Sequence, residues 1–515
     1  SYNSGTSVYT YRQSDGSVAL FDGASFASVT YWGYGGAAIT SLTRPNGEVL
    51  TFHYKIDTWS SSQWARLQSV TNNFGYQLKF TYQSNNFSGG AWPWRNITMV
   101  TGINNAVDYC NPTADSCTGL TVSWPSATYT ANTITDSLGR VRTFTFSTPG
   151  ITSIRSPSGR VVNIDYSSGR VSAISGTVNA GSYAYVDNVG AQTRTVTFTG
   201  ALSRTRVVVS SLETGRVTSD TDGAGRTTSY QYDGNDRLTR ITLPEGNYTA
   251  YAYDVRGNVV ETTQVAKSGS GLADIVTSAA YDTTCANPVT CNQPNSTTDA
   301  RGHVTNYTYN STHGGVLTIT QPDPDGGGPA ARPQTRFAYA QHYAYYRNSA
   351  GSIVQGPSQI WLLTEVSACA AGSSCDGTDN ETQTTIVYGT PSVANNLLPT
   401  SVTSGSGNPS SPVRATTTST YTNLGDVETV DGPLASSADT TRYRYDAARQ
   451  LIGVIGPDPD GGGNLVHRAM RYTYDLDGRV TVTEQGNVHT QSDANWALFS
   501  APQQLVTGYN SVGFP

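Results

Sequence analysis

A glycine followed seven residues later by an aromatic recurs along this chain: Gly47 and Tyr54, Gly75 and Tyr82, Gly139 and Phe146, Gly159 and Tyr166, Gly225 and Tyr232, Gly246 and Tyr253, Gly302 and Tyr309. A second aromatic usually stands two residues before the first, as in Phe52, Phe80, Phe144, Tyr230, Tyr251 and Tyr307, and Tyr443/Tyr445 and Tyr472/Tyr474 extend the series. A period of two is the period of a strand, so both aromatics project from one face, where cross-strand aromatic ladders are expected. Then comes an acid and a reversal: Tyr232-Asp233-Gly234-Asn235-Asp236, Tyr253-Asp254-Val255-Arg256-Gly257, Tyr445-Asp446, and Tyr474-Asp475-Leu476-Asp477-Gly478. Asp bonds turn backbone through its side chain, Gly accepts positive φ, and the next Leu or Val begins another strand. These aspartates are therefore read as turn formers rather than as catalytic groups.

Composition agrees with many short strands. Gly (52) and Tyr (32) are abundant and charged residues make up only 13% of the 515, which suits neither a coiled coil nor a charge-driven disordered chain. Net charge is -6, Lys occurs only at Lys55, Lys79 and Lys267, and Arg is dispersed among the turns, so no concentrated basic face for nucleic acid is expected. No apolar run is long enough to span a bilayer, and the opening Ser1-Tyr2-Asn3 has no signal-peptide character, so targeting information is expected outside this segment.

The segment from Tyr230-Gln231-Tyr232-Asp233 through Leu243-Pro244-Glu245-Gly246-Asn247-Tyr248 to Tyr253-Asp254 resembles the RHS/YD-repeat family. The spacing from Tyr232 to Tyr253 is 21 residues, and from Tyr445 to Tyr474 it is 29, the Pro457 to Gly463 loop supplying the extra length. Degenerate copies from Thr43 to Tyr54 and from Arg66 to Tyr82 carry the resemblance almost to the start. It implies an all-β fold: a long spiralling antiparallel sheet of YD-repeat hairpins, forming a hollow shell or part of one. Residues 1–135 read as a divergent section with degenerate hairpins, holding Trp32, Trp59, Trp64, Trp92, Trp94 and Trp124. Residues 136–515 read as the YD-repeat region, continuous with the first or nearly so. Residues 85–130, 175–215 and 340–415 fit the repeat less well and are expected to be elaborated loops or irregular hairpins.

Six cysteines form three local couples, Cys110 with Cys117, Cys285 with Cys291, and Cys369 with Cys375. Each brackets a short polar loop, and local disulfides in an oxidising compartment are the expectation ahead of free thiols or metal, because zinc sites favour two-residue gaps in paired couples. A secreted, extracellular or cell-surface location follows.

No cofactor or metal is expected. The loops Asp323-Pro324-Asp325-Gly326 and Asp458-Pro459-Asp460-Gly461 lack the full ligand set of a calcium loop and read as turns. The six histidines are scattered without a zinc motif, and nucleophile-elbow, phosphate-loop and dinucleotide fingerprints are absent. Trp92-Pro93-Trp94 is the most visible platform for a surface glycan. The expectation is a non-enzymatic shell around a polypeptide cargo, its own or linked, since RHS/YD proteins of bacteria often enclose a C-terminal toxic polypeptide. The self-cleavage junction that the family places before such a toxin is not evident, and Gly508 to Pro515 looks like the opening of another repeat. The competing reading is an extracellular fibre or adhesin of identical stacked subunits. A carbohydrate-processing or proteolytic enzyme lacks any acid/base constellation.

Overall fold

The computed structural model describes residues 1–26, 29–30, 36–87, 90–177, 179–326, 331–369, 372, 374–435, 438–461 and 463–510. Trp32 and the last five residues lie outside them. Among the described residues, 38 strands join in one sheet, and it does not close on itself. Its connectivity is almost a pure meander, each strand pairing antiparallel with the next, from Tyr2–Asn3 to Ser500–Val506. The one departure is Val29–Thr30, which lies parallel to Gln63 and Trp64 while Val18–Asp22 pairs directly with Ala38–Thr43. The sheet crosses residue 135 without a break, Thr135 facing Val141 in the ladder. Residues 175–215 turn out regular: Gly181–Asn188 and Thr193–Gly200 pair through eight consecutive positions. Alternating Tyr183, Tyr185, Val196 and Phe198 supply the strand preference there, although the glycine turn is missing.

Because successive strands alternate in direction, the turns fall on two rims of the strip. Those at 13–17, 44–48, 73–75, 105–125, 136–140 and 156–160 share a first rim, and those at 233–237, 254–258, 310–315, 422–426, 446–450 and 475–479 lie on the second. The strip winds until the first rim of its beginning meets the second rim of its end. The Asn292 amide donates to the Ser14 carbonyl at 3.0 Å, Trp361 N–H to Asn46 O at 2.8 Å, and Arg140 Nη1 to Gln450 Oε1 at 2.8 Å. The hairpin of Gln334–Arg347 and Ile353–Cys369 overhangs this seam, Arg347 Nε donating to Val107 O at 2.7 Å. Further on, Ser156 and Ser158 hold the Asp477 carboxylate. Partner separations run from 240 to 321 residues. The strip thus completes one winding and part of a second.

Little of the chain is interior. The buried clusters are small, such as Ile103, Cys110 and Trp124, or Ile455, Ala469 and Val488. The exposed area is 27806 Å², whereas a compact monomer of this mass exposes about 18,000 Å². A single-layer wall, wet on both faces, accounts for the excess.

Candidate functional site

The repeating unit is a clamp between adjacent hairpins. At each signature aromatic the ladder slips by one residue: Gln231 faces Arg240 but Tyr232 faces Leu238, leaving Thr239 as a β-bulge. The same slip precedes Tyr54, Tyr82, Phe146, Tyr166, Tyr253, Tyr309, Tyr388, Tyr421, Tyr445 and Tyr474. The hydroxyl of the next tyrosine then donates to the carbonyl at that bulge. Tyr253 reaches Leu238 O at 2.6 Å, Tyr232 reaches Val217 O at 2.9 Å, Tyr445 reaches Val427 O at 3.0 Å, Tyr474 reaches Leu451 O at 2.6 Å, and Tyr509 reaches Val480 O at 2.9 Å. At several bulges whose extra residue is Thr, its hydroxyl donates back across the pair, as from Thr218 to Val209 O and from Thr481 to Thr473 O, both at 3.2 Å. The ladder of stacked rings expected from the aromatic spacing is sparse among the described ring pairs. Phe144 meets Phe146 and Tyr183 meets Phe198, but Tyr253 and Tyr509 lie under the guanidinium groups of Arg237 and Arg479.

The acids after the tyrosines close the turns. Asp254 Oδ1 accepts the N–H groups of Arg256 at 2.8 Å and Asn258 at 2.9 Å, and Gly257 N–H donates to Asp254 O at 3.1 Å. Asp475 repeats this with Asp477 and Arg479, and its second oxygen takes Arg479 Nε at 2.8 Å. Gly257 and Gly478 sit at φ +93° and +83°, and where glycine is missing Asp236 and Arg449 adopt +61° and +64° in the turns closed by Asp233 and Asp446. Gly246, also at positive φ, belongs to the first-rim turn Leu243 to Asn247. The Arg237 N–H bond holds the Asp233 carboxyl below its ordinary value. At Asp475, burial pushes the other way and is outweighed by the N–H and guanidinium of Arg479.

Each cysteine couple is bonded within itself. The Cys110–Cys117 loop is docked on the sheet by cations that the sequence did not place together. Lys55 Nζ reaches both Asp115 oxygens at 2.8 and 2.9 Å, Arg66 Nη2 reaches Asp115 at 2.7 Å, and Lys79 Nζ donates to Pro112 O at 3.1 Å. Burial lowers the Lys79 ammonium to about 8. The Cys369–Cys375 loop leads to a buried Glu381, held by Arg336, Ser367 and the Gly377 N–H.

The other sequence candidates are occupied structurally. Trp94 is fully buried and stacks on Phe87 at 4.6 Å, so only Trp92 of that pair is exposed. Asp460 accepts the N–H groups of Gly463 and Leu465, and Asp323 accepts that of Asp325, as turn formers do. No group of three or more His, Cys, Asp or Glu side chains suited to a metal occurs among the described residues, and no described helix is long and apolar enough to cross a membrane.

The RHS Repeat family model matches residues 213–248 and 232–268, the stretch where the clamp is most regular. Over residues 213–268 the chain carries RHS repeats. A comparison with curated proteins returns no match. Among solved structures, that of TcdB2-TccC3-Cdc42 aligns with 93% of this RHS-repeat chain at 12% identity and a TM-score of 0.29. The Photorhabdus luminescens Tc holotoxin pore, in a TccC3 variant form, aligns with 94% at the same identity and score. This RHS-repeat chain spans 30% of the length of each.

Proposed function

We propose that this chain is a structural wall of an RHS-repeat shell, enclosing or displaying a polypeptide in a secreted, toxin-like bacterial assembly, and that it catalyses no reaction. The single observation that supports the reading is the exposed area of 27806 Å² on a 54.7 kDa chain. A protein that spends its sequence on one bent layer forgoes a core and surrounds a volume instead. The aspartates after the tyrosines are spent here on turns, and the paired tyrosines of the strands remain only half-buried. Half-exposed aromatics suit contact with an unfolded polypeptide, being sequence-tolerant and apolar.

Electron microscopy of the purified protein, paired with protease digestion of any polypeptide that accompanies it, tests this. A curved wall around a lumen, with the accompanying polypeptide cleaved only after the sheet is unfolded, is the expected result. A collapsed particle with two faces of the sheet pressed together and no lumen would overturn it.

A further inference from the structure

Two of the three disulfides lie on the seam, one from each side of it. On the first rim, Cys110 and Cys117 both belong to the apolar cluster, with Ile103 and Trp124, on which Leu424 of the later winding packs. Neighbours in the same segment complete the contact. Asn104 Nδ2 donates to Asn395 Oδ1 at 2.6 Å, and Arg347 donates its N–H to Asn105 O at 2.8 Å and its Nε to Val107 O at 2.7 Å. On the second rim, Cys285 and Cys291 close the loop that meets the turn 13–17. Asn292, next to Cys291, donates to Ser14 O at 3.0 Å, while its own carbonyl is held by Arg256 and Asn258. Val289, inside the ring, lies so close to Gly16 that a Cβ there would stand 2.8 Å from the Val289 Cα. The contacts of the overhanging hairpin fall between these two loops: Trp361 with Asn46, and Asn73 Nδ2 with Ser358 Oγ at 2.8 Å. The third disulfide, Cys369–Cys375, stands apart, and its loop makes no described hydrogen bond to another winding.

We infer that Cys110–Cys117 and Cys285–Cys291 are reducible clasps, and that a dithiol reductant cutting both opens the seam from Ser14 to Val107 while the sheet stays paired. Access separates the couples in the same way as position does. Cys110 and Cys291 are 2% and 1% exposed, but their partners Cys117 and Cys285 are only partly buried. Both ends of the third couple are buried, at 4% each. Thiol–disulfide exchange needs a thiolate to reach one sulfur of the bond, so one reachable end is sufficient and two buried ends are protective.

The exchange balances as follows from these positions. A thiolate of the dithiol bonds to Cys117 Sγ, and the electron pair of the S–S bond leaves on Cys110 Sγ, where the Gln77 amide donates at 3.7 Å. The second thiolate of the reductant then displaces Cys117 and closes the reductant's own disulfide. Two electrons pass to the protein, and the two protons of the dithiol end on the cysteines. Cys285 is attacked in the same manner, with Cys291 leaving. None of these four cysteines stands in a strand, so the ladder does not depend on them. The later seam contacts, Arg140 with Gln450 and Ser158 with Asp477, contain no sulfur and hold. The device goes beyond enclosure, since it is read in the amides of the seam and not in the protection of a polypeptide.

Stepwise reduction of the whole oxidised protein with dithiothreitol at fixed pH tests it, followed by alkylation of quenched aliquots and by hydrogen exchange. Cys110, Cys117, Cys285 and Cys291 should become alkylated while Cys369 and Cys375 remain bonded. At that stage the protection of the Trp361 and Arg347 amides, which donate to Asn46 and Asn105 across the seam, should fall by about tenfold or more as the loops lose their covalent constraint. Protection of the Ser158 amide, which donates to Asp477, and of the ladder between Gly181 and Gly200 should not change. Reduction of Cys369–Cys375 before or together with either seam couple, seam amides as protected as before, or ladder amides exposed along with them would each overturn the inference.

Discussion

A tyrosine here does two jobs with two parts of its side chain. The ring covers the sheet and the hydroxyl closes the bulge of the preceding hairpin. Tyr253→Phe keeps the first and loses the second, leaving the Leu238 carbonyl without its partner. The expected cost is about 0.5–1.5 kcal/mol, seen as a lower midpoint in denaturant. Tyr251→Phe, whose hydroxyl makes no described hydrogen bond, should leave the midpoint where it was; equal effects would show that only the ring matters. The turn acids make a second prediction. Asp222, Asp233, Asp299 and Asp475 are all held below their ordinary value of 3.8 in the folded chain. The folded state therefore binds fewer protons, so the stability these groups give is complete above pH 3.8 and lost as pH falls through their lower folded values. Unfolding midpoints measured downward from pH 5 should drop, and Asp475→Asn should flatten the drop. The turn acids and the strand aromatics were legible because both are local patterns. The hydroxyl clamp was not, although a signal for it exists: Thr follows the first aliphatic after the turn in Ile151-Thr152, Val217-Thr218, Leu238-Thr239 and Val480-Thr481.

Two elements depart from the repeat and couple to its edges. The segment 489–499 folds back over the strands Leu451–Ile455 and His467–Tyr474, where the Trp496 indole lies against Gly453. A Cβ at Gly453 would stand 2.5 Å from that indole, so Gly453→Ala should lift the segment, and proteolysis between 489 and 499 should quicken while Gly456→Ala, with only the Arg468 carbonyl at 3.4 Å, leaves it unchanged. The other element is the overhanging hairpin. His313 is buried against Tyr339 and Trp361, with ring centroids at 4.6 Å from each, and Trp361 carries the seam bond to Asn46. Nδ1 of His313 already accepts the Gly315 N–H at 3.1 Å, and Nε2 has no hydrogen-bond partner among the described residues. Burial lowers its pKa below the ordinary 6.5. With the folded value the lower one, the stability of the neutral ring is present above pH 6.5 and lost as pH falls below it. The protection of the Trp361 amide against hydrogen exchange, taken relative to an unstructured amide at the same pH, should fall from pH 7.5 to 5.5, and His313→Phe should remove that fall; an unchanged pH dependence of protection in the variant would exonerate the histidine. Neither element was legible beforehand, since tertiary packing and not local spacing sets where each lies.

At the scale of the molecule, a wound single layer has a measurable dimension. A compact chain of this length has a radius of gyration of about 24 Å, and solution scattering from monomeric protein should exceed it. A value at or below that figure would mean that the wall has collapsed. The seam that sets the winding was invisible in the sequence, because its partners are hundreds of residues apart and are ordinary turn side chains such as Asn46, Arg140 and Asp477. The meander has a further consequence, arithmetical in kind. Inserting or deleting one strand would reverse every later strand and send each later turn to the opposite rim, so the Asp477 carboxylate could no longer meet Ser156. Removing two strands changes the circumference but keeps every turn on its side. Length in such a protein is therefore counted in pairs, and genetic gain or loss of material should be tolerated in whole hairpins and punished in halves.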